Sequence, residues 1–326
     1  MEWSRQRHTS RFTKHELQHM ARQLSGKLLL KSEFPFQGDM VERLLEQKIV
    51  KAIPAITQKY FSYKCNRCQN DQRSKFAMMP CLTCEREHVY CRNCVVMGLT
   101  KRCDDIYIWT GPETNWPKHE QPCAWHGELT IYQQQAADKM VDTIVERNGR
   151  LLVWGVCGSG KTEMLFPSVE KALILGKRIC IATPRSDVVR ELYPRLKEAF
   201  PTIPIEALYG GSVHKDGKSQ LIIGTTHQLH RFYQTFDVII VDEIDAFPYH
   251  ADVTLPRAVN RALKQNGTKL FLTATPRKKQ KRLIVQGKLP HVFIPQRYHG
   301  FPLPVPQFKL CMFLKSEIRK HDLPIA

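Results

Sequence analysis

The stretch Leu151-Leu152-Val153-Trp154-Gly155-Val156-Cys157-Gly158-Ser159-Gly160-Lys161-Thr162 decides the fold. Leu151–Trp154 reads as a buried strand, G-x4-G-K-T follows it, and a helix-compatible stretch opens at Glu163. That order is the context in which this spacing makes a phosphate-binding loop. Gly155, Gly158 and Gly160 let the backbone wrap phosphates closely, with Ser159 between them and N–H groups left unobstructed. Lys161 supplies a point charge for the β- and γ-phosphates, Thr162 a hydroxyl for Mg2+, and the helix start a favourable partial charge. A chance glycine loop does not account for the strand before it and the helix after it.

Working outward, the runs Leu151–Trp154, Ile179–Ala182, Leu221–Gly224, Val238–Val241 and Leu270–Thr273 alternate with longer amphipathic stretches. Unbroken apolar strands between helices describe a parallel sheet covered on both faces, the doubly wound α/β class. The fourth run ends in Asp242-Glu243-Ile244-Asp245. Carboxylates at the C-terminal end of such a strand sit at the ligand crevice. Asp242 is expected to hold Mg2+, and Glu243 to orient the water that attacks the γ-phosphate. Acids capping the next helix are the plainer reading, outweighed by Lys161 and its loop upstream. The expected catalytic set is Lys161, Asp242 and Glu243, with ATP and Mg2+ as cofactors.

Ahead of this core, Cys65-x2-Cys68, Cys81-x2-Cys84 and Cys91-x2-Cys94 form three knuckles. Two knuckles complete a four-thiolate Zn2+ site, and six cysteines exceed one ion. Cys65, Cys68, Cys91 and Cys94 are the first choice because the outer pairs enclose the module; Cys81 and Cys84 are spare or belong to a second site. Cys103, Cys123, Cys157, Cys180 and Cys311 lack such pairing and read as packed thiols.

Composition bounds the rest. The chain has 326 residues and a formal net charge of +18, half of it in residues 274–326. Such an excess suits a polyanion, whereas residues 65–128 are charge-neutral. No apolar run reaches the ~20 residues of a membrane span, and the polar N-terminus is no secretory signal. Eleven cysteines without a leader fit a reducing, intracellular compartment. Five regions are expected: a basic segment 1–64, a zinc module 65–103, a connector 104–128, an ATP-binding domain 129–289, and a proline-rich exit linker from 290 to 326.

With these residues in place, the chain resembles superfamily 2 helicases of the DEAD/DEAH type. Leu129-Thr130-Ile131-Tyr132-Gln133 resembles the Q motif, which implies that Gln133 reads the adenine edge. Ala182-Thr183-Pro184-Arg185 resembles motif Ia, and Tyr209-Gly210-Gly211 with Gly224-Thr225-Thr226 the later strand-contacting loops; Arg185, Thr225 and Thr226 would then touch DNA. Thr273-Ala274-Thr275 resembles motif III, so Thr273 and Thr275 would couple nucleotide state to nucleic acid. DEID in place of DEAD and TAT in place of SAT argue against an RNA enzyme.

The zinc module placed before the Q motif, with Val-Tyr-Cys-Arg-Asn-Cys inside it and Trp-Gly-Val-Cys-Gly-Ser-Gly-Lys-Thr-Glu after it, resembles the ComFA family of competence-associated DNA-uptake ATPases. The resemblance implies a RecA-like P-loop sheet, single-stranded DNA as substrate, and a cytoplasmic motor at the inner face of the membrane. Its partners would be the uptake machinery with its DNA channel, and further copies of itself in a homo-oligomer. The replication-restart family PriA is second, since its cysteines lie beyond motif III. A second RecA-like lobe with its arginine finger is expected to be largely missing, which would leave this chain a weak ATPase, or a non-hydrolysing zinc-dependent single-strand-binding adaptor.

Overall fold

The structure is a computed structural model that describes residues 11–36, 39–82, 84–146, 149–213 and 216–301. Of the expected linker and second-lobe start at 290–326, residues 302–326, Cys311 among them, lie outside the described residues. The N-terminal part holds α1 (Lys14–Leu24), β1 (Leu28–Leu30), α2 (Met40–Glu46), β2 (Val50–Pro54), β3 (Ile56–Lys59), β4 (Ser62–Cys65), β5 (Phe76–Cys81), β6 (Arg86–Cys91) and β7 (Asp105–Trp109). Thr13 and Glu16 start α1 with a capping box, each satisfying the other's backbone N–H.

β7 lies between β1 and β2 and pairs antiparallel with both. The expected connector 104–128 therefore begins with the central strand of a small sheet, because Ile106 and Ile108 bury against Leu28, Leu30 and Ala55. α1 and α2 cover the other face of that sheet, packing on Leu29, Val50 and Tyr107. The cysteine hairpins β3–β4 and β5–β6 are an excursion between β2 and β7. The rest of the connector runs along the ATP-binding part, with the Ala124 N–H on the Ala199 carbonyl at 2.8 Å and Trp125 edge-on to Phe166.

The second part comprises α3 (Ile131–Glu146), β8 (Arg150–Gly155), α4 (Phe166–Ile174), β9 (Ile179–Thr183), α5 (Ser186–Ala199), β10 (Ile205–Leu208), β11 (Leu221–Thr225), β12 (Phe236–Val241), α6 (Thr254–Ala262), β13 (Leu263–Thr273), α7 (Lys278–Val285) and β14 (His291–Ile294). Seven of its strands form one sheet in the order β10-β11-β9-β12-β13-β8-β14, with every pairing parallel. All five apolar runs are strands of this sheet.

Alternation sorts each strand onto two faces. Val238 and Ile240 pack with Met140, Val169 and Leu192 of α3, α4 and α5, whereas Ile239 and Val241 pack with Leu255, Ala258 and Val259 of α6. Both faces are covered, so no polar position interrupts the run.

The exit linker placed from residue 290 is corrected at its start. His291–Ile294 is β14, an edge strand paired with β8 in register Ile294↔Gly155. Prolines flank this segment but do not enter it, and an edge strand tolerates prolines beside it. Ile294 is 1 % exposed and belongs to the main core.

Replacing Ile294 by Ala should therefore lower stability by about 2–5 kcal/mol, as for a core deletion. A solvated linker position would change it by no more than about 0.5 kcal/mol. Urea denaturation of the two forms measures the difference.

Candidate active site and metal centre

The phosphate loop leaves β8 at Gly155 and enters a helical turn at Glu163. A Cβ on Gly155 would lie 2.6 Å from Ser159 Oγ, and one on Gly160, at φ +66°, would meet Gln133 Nε2. These glycines are demanded by close approach, as a cradle for phosphates requires. Lys161 Nζ donates to the carbonyls of Gly155 and Val156, both at 3.3 Å, which keeps its charge inside the loop. Ser159 Oγ is buried with no hydrogen-bond partner among the described residues. The Thr162 hydroxyl accepts from Arg195 Nη1 at 3.3 Å, and Arg195 also pairs with Glu163.

Gln133 is 4 % exposed. Its Nε2 donates to the Ser159 and Gly160 carbonyls at 3.0 and 3.2 Å, and its Oε1 accepts from the Thr130 N–H at 2.8 Å. Both amide protons thus brace the phosphate loop, which leaves only an acceptor lone pair for an adenine edge. The segment after β14 also reaches the loop. Tyr298 N–H donates to the Gly158 carbonyl at 3.0 Å, and the Arg297 side chain lies over the same glycine. No motif pointed to Arg195, Arg297 or Tyr298, since contacts this far apart in the chain have no local signature.

The acidic strand end sits two strands away, across β13. Asp242 is half-buried, and desolvation pushes its carboxyl up to about 6 against the opposing pull of the Glu243 N–H and of Lys161. A cation beside it would restore the charged form. Glu243 has φ 51°, an uncommon backbone for a non-glycine residue, which turns the chain sharply at the strand end. Arg185 Nη1 lies 3.9 Å from Glu243 Oε2 and also pairs with Asp187, so this expected DNA contact stands beside the acids. Asp245 accepts from Thr273 Oγ1 at 2.5 Å and from Thr275 Oγ1. The motif III threonines are thereby bonded directly to the acidic strand end. Thr225 and Thr226 are 8 % and 0 % exposed, with Thr226 Oγ1 unpartnered among the described residues. The Thr226 hydroxyl is thus closed to a strand, whereas Thr225 lines a cleft at this edge of the sheet.

Among the cysteines, β4 and β6 each end on the first residue of a knuckle, Cys65 and Cys91. This brings Cys65, Cys68, Cys91 and Cys94 together, all buried, with ligand atoms within 4.8 Å of one another. Cys65 and Cys94 sulfurs are 3.6 Å apart and those of Cys68 and Cys91 3.5 Å. Zinc–sulfur bonds of about 2.3 Å in a tetrahedron require separations of about 3.8 Å, so the donor set fits Zn2+. Cys81 and Cys84 stand apart from this tetrad, and Cys103 joins them rather than packing singly. The tetrad is also a place where the two parts meet. From α6, Arg261 donates to the Asn66, Arg67 and His230 carbonyls, and Arg257 to the Gln69 carbonyl and Asp71. Arg67, wholly buried, pairs with Glu33 at 2.6 Å.

A cleft of about 400 Å3 opens where the parts meet. Lys75, Arg92 and Asn93 line it from the cysteine hairpins, and Gly210, Thr225 and Gln228 from the strand ends of the sheet.

Residues 10–108 match the family described as Competence protein ComFA N-terminal domain, and residues 126–278 match Type III restriction enzyme, res subunit. Competence protein ComFA of Bacillus subtilis is 44% identical over 305 residues, covering 93% of this chain and 65% of that protein. The chain belongs to the ComFA family. Competence protein ComFA of Streptococcus pneumoniae is 34% identical over 262 residues, covering 80% of this chain and 58% of that protein. Replication restart protein PriA of Haemophilus influenzae is 28% identical over 190 residues, 52% of this chain and 25% of that one. This ComFA-family chain thus spans about two thirds or less of the ComFA relatives it matches. It carries a helicase-like ATPase domain of superfamily 2 behind its N-terminal domain. No helix among the described residues is long and apolar enough to cross a membrane.

Gln133→Ala should cost about 1–3 kcal/mol in nucleotide binding, because the loop loses its buried brace. That is about a 5- to 150-fold loss of affinity, shared by ATP and GTP if bracing is the main role. Fluorescent-nucleotide titration of both measures it; a loss confined to ATP would return Gln133 to adenine reading. Cys94→Ser should release the tetrad's zinc and unprotect backbone amides of the two hairpins, since such sites supply folding energy of about 10–16 kcal/mol. Metal analysis with hydrogen exchange follows both, and nucleotide binding at the far side of the sheet is expected to survive.

Proposed function

We propose that this chain is an ATP-driven motor subunit that moves single-stranded DNA during competence-associated uptake. The observation that carries this reading is the pair of hydrogen bonds from Thr273 and Thr275 to Asp245. A motor needs nucleotide state to be felt outside the phosphate site, and these bonds tie the acids beside Mg2+ to the strand end that leads into the basic helix α7. In this reading Lys161 and the loop glycines hold the phosphates, and Thr162 and Asp242 hold Mg2+ once Arg195 yields the Thr162 hydroxyl. Mg2+ supplies charge neutralisation at the γ-phosphate. Glu243, turned out by its backbone and 34 % exposed, orients the water.

Single-stranded DNA would lie across the strand ends and the cleft shared with the cysteine hairpins. Lys75 and Arg92 offer phosphate contacts there, together with Arg185 and the Thr225–Thr226 loop. Backbone contacts suit a motor that must track any sequence. Segment 65–128 is charge-neutral overall, so this region contributes placed cations rather than bulk attraction. A cytoplasmic site at the inner face of the membrane, beside a DNA channel and other copies of the chain, accords with the family.

One such sheet is present among the described residues. An arginine finger from a second lobe is worth about 10³–10⁵ in rate, so this chain alone should turn over slowly. The test is ATP hydrolysis with and without single-stranded DNA, in this chain and in a full-length family member. Stimulation by DNA is expected, with Glu243→Gln reducing it about 10²–10⁴-fold while ATP still binds. DNA affinity should fall by about 0.7 log units per phosphate contact for each tenfold rise in salt. ATP and DNA binding without turnover in the full-length protein would identify a non-hydrolysing adaptor instead.

A further inference from the structure

Away from the nucleotide site, a second group of sulfurs gathers at the tip of the β5–β6 hairpin. Cys81 is the last residue of β5, and Cys84 sits in the turn that Glu85 closes with φ 53°. Cys103 arrives from a later segment, pinned beside β6 by the Tyr90↔Lys101 bridge and by the Arg102 N–H on the Val89 carbonyl at 2.8 Å. The three ligand sulfurs lie within 4.8 Å of one another. Cys81 and Cys103 are 3.8 Å apart, the edge length of a tetrahedron built on zinc–sulfur bonds of about 2.3 Å.

The geometry points to a second zinc ion, held by Cys81, Cys84 and Cys103 with solvent in the fourth position, separate from the buried four-cysteine centre. Three thiolates select a soft, tetrahedral ion. They also leave the Zn2+ complex one negative charge in excess, and a cation is already in place to offset it. Lys101 Nζ donates to Cys81 Sγ at 3.3 Å and pairs with Asp104 at 3.8 Å. A hydrogen bond from an ammonium to a ligand sulfur is how an outer shell orients and steadies a thiolate.

The hairpin needs such an ion. At its tip Leu82 is 99 % exposed, so this apolar side chain does not hold the turn against Cys103. An ion there would clamp the hairpin end to the segment that leads into β7, and so fix Lys75 and Arg92 on the same excursion at the cleft. Cys84 and Cys103 are exposed whereas the tetrad is buried, so the two ions should differ in exchange rate. This assignment does not rest on the motor reading.

Native mass spectrometry of the full chain, purified with zinc under reducing conditions, counts the ions. Wild type should carry two, and Cys103→Ser and Cys84→Ser one each. Cys84 is on the exposed turn, so its substitution keeps the test valid if Cys103→Ser fails to fold. A colorimetric chelator should draw zinc from wild type in a fast and a slow phase, with only the slow phase left in either variant. One ion in wild type, two retained in both variants, or a Cys81–Cys103 disulfide in the reduced preparation would overturn the assignment.

Discussion

Seven strands running the same way must deliver their C-terminal ends to one edge of the sheet. Every element of the site depends on that constraint. The phosphate loop leaves the end of β8, Arg185 follows β9, Thr225 ends β11, Asp242 follows β12 and Thr273 ends β13. The order β11-β9-β12-β13-β8 sets these ends side by side, with β13 between the phosphate loop and the acids. Thr273 is thereby placed to reach Asp245, and a ligand in the crevice meets all of them at once. An antiparallel sheet would send half of these ends to the opposite edge.

The second dependence is the grip of α6 on the first knuckle. α6 buries Leu255, Ala258 and Val259 against the sheet and turns Arg257 and Arg261 toward residues 66–71. These guanidinium groups bond to backbone carbonyls, which hold their places only if the knuckle is rigid. Four thiolates on one zinc carry two negative charges in excess, and the wholly buried Arg67 and the neighbouring Arg261 lie where that charge falls. Metal, knuckle and helix therefore form a chain of support that ends at the cleft. The hairpins that carry Lys75 and Arg92 inherit their position from it.

Much of this was legible in particular residues. Val238–Val241 is apolar at every position because both its faces are covered, and the glycines of the phosphate loop declare the close approach they permit. The two-residue gaps marked Cys65–Cys68, Cys81–Cys84 and Cys91–Cys94 as knuckles, because local geometry alone imposes them, while the fold decided which two knuckles share a site. β14 was hidden, since a four-residue edge strand among prolines buries too little to mark itself. Cys103 was hidden for a different reason: its partners lie 19 and 22 residues away, joined by strand pairing that no spacing encodes.

The amino-acid sequence by itself determined the chemistry on offer: a glycine loop with Lys161 and Thr162, acids at the end of an apolar strand, and thiols in knuckles. It did so because each of these needs only neighbours in the chain. The tertiary structure alone decided how those groups are used. Gln133 spends its amide protons on the phosphate loop, Thr226 turns its hydroxyl inward, Asp245 joins the two threonines of motif III, and Cys103 joins Cys81 and Cys84. Such contacts depend on which faces bury together and on the register between distant strands, and the free energy that settles them is that of the whole packed core.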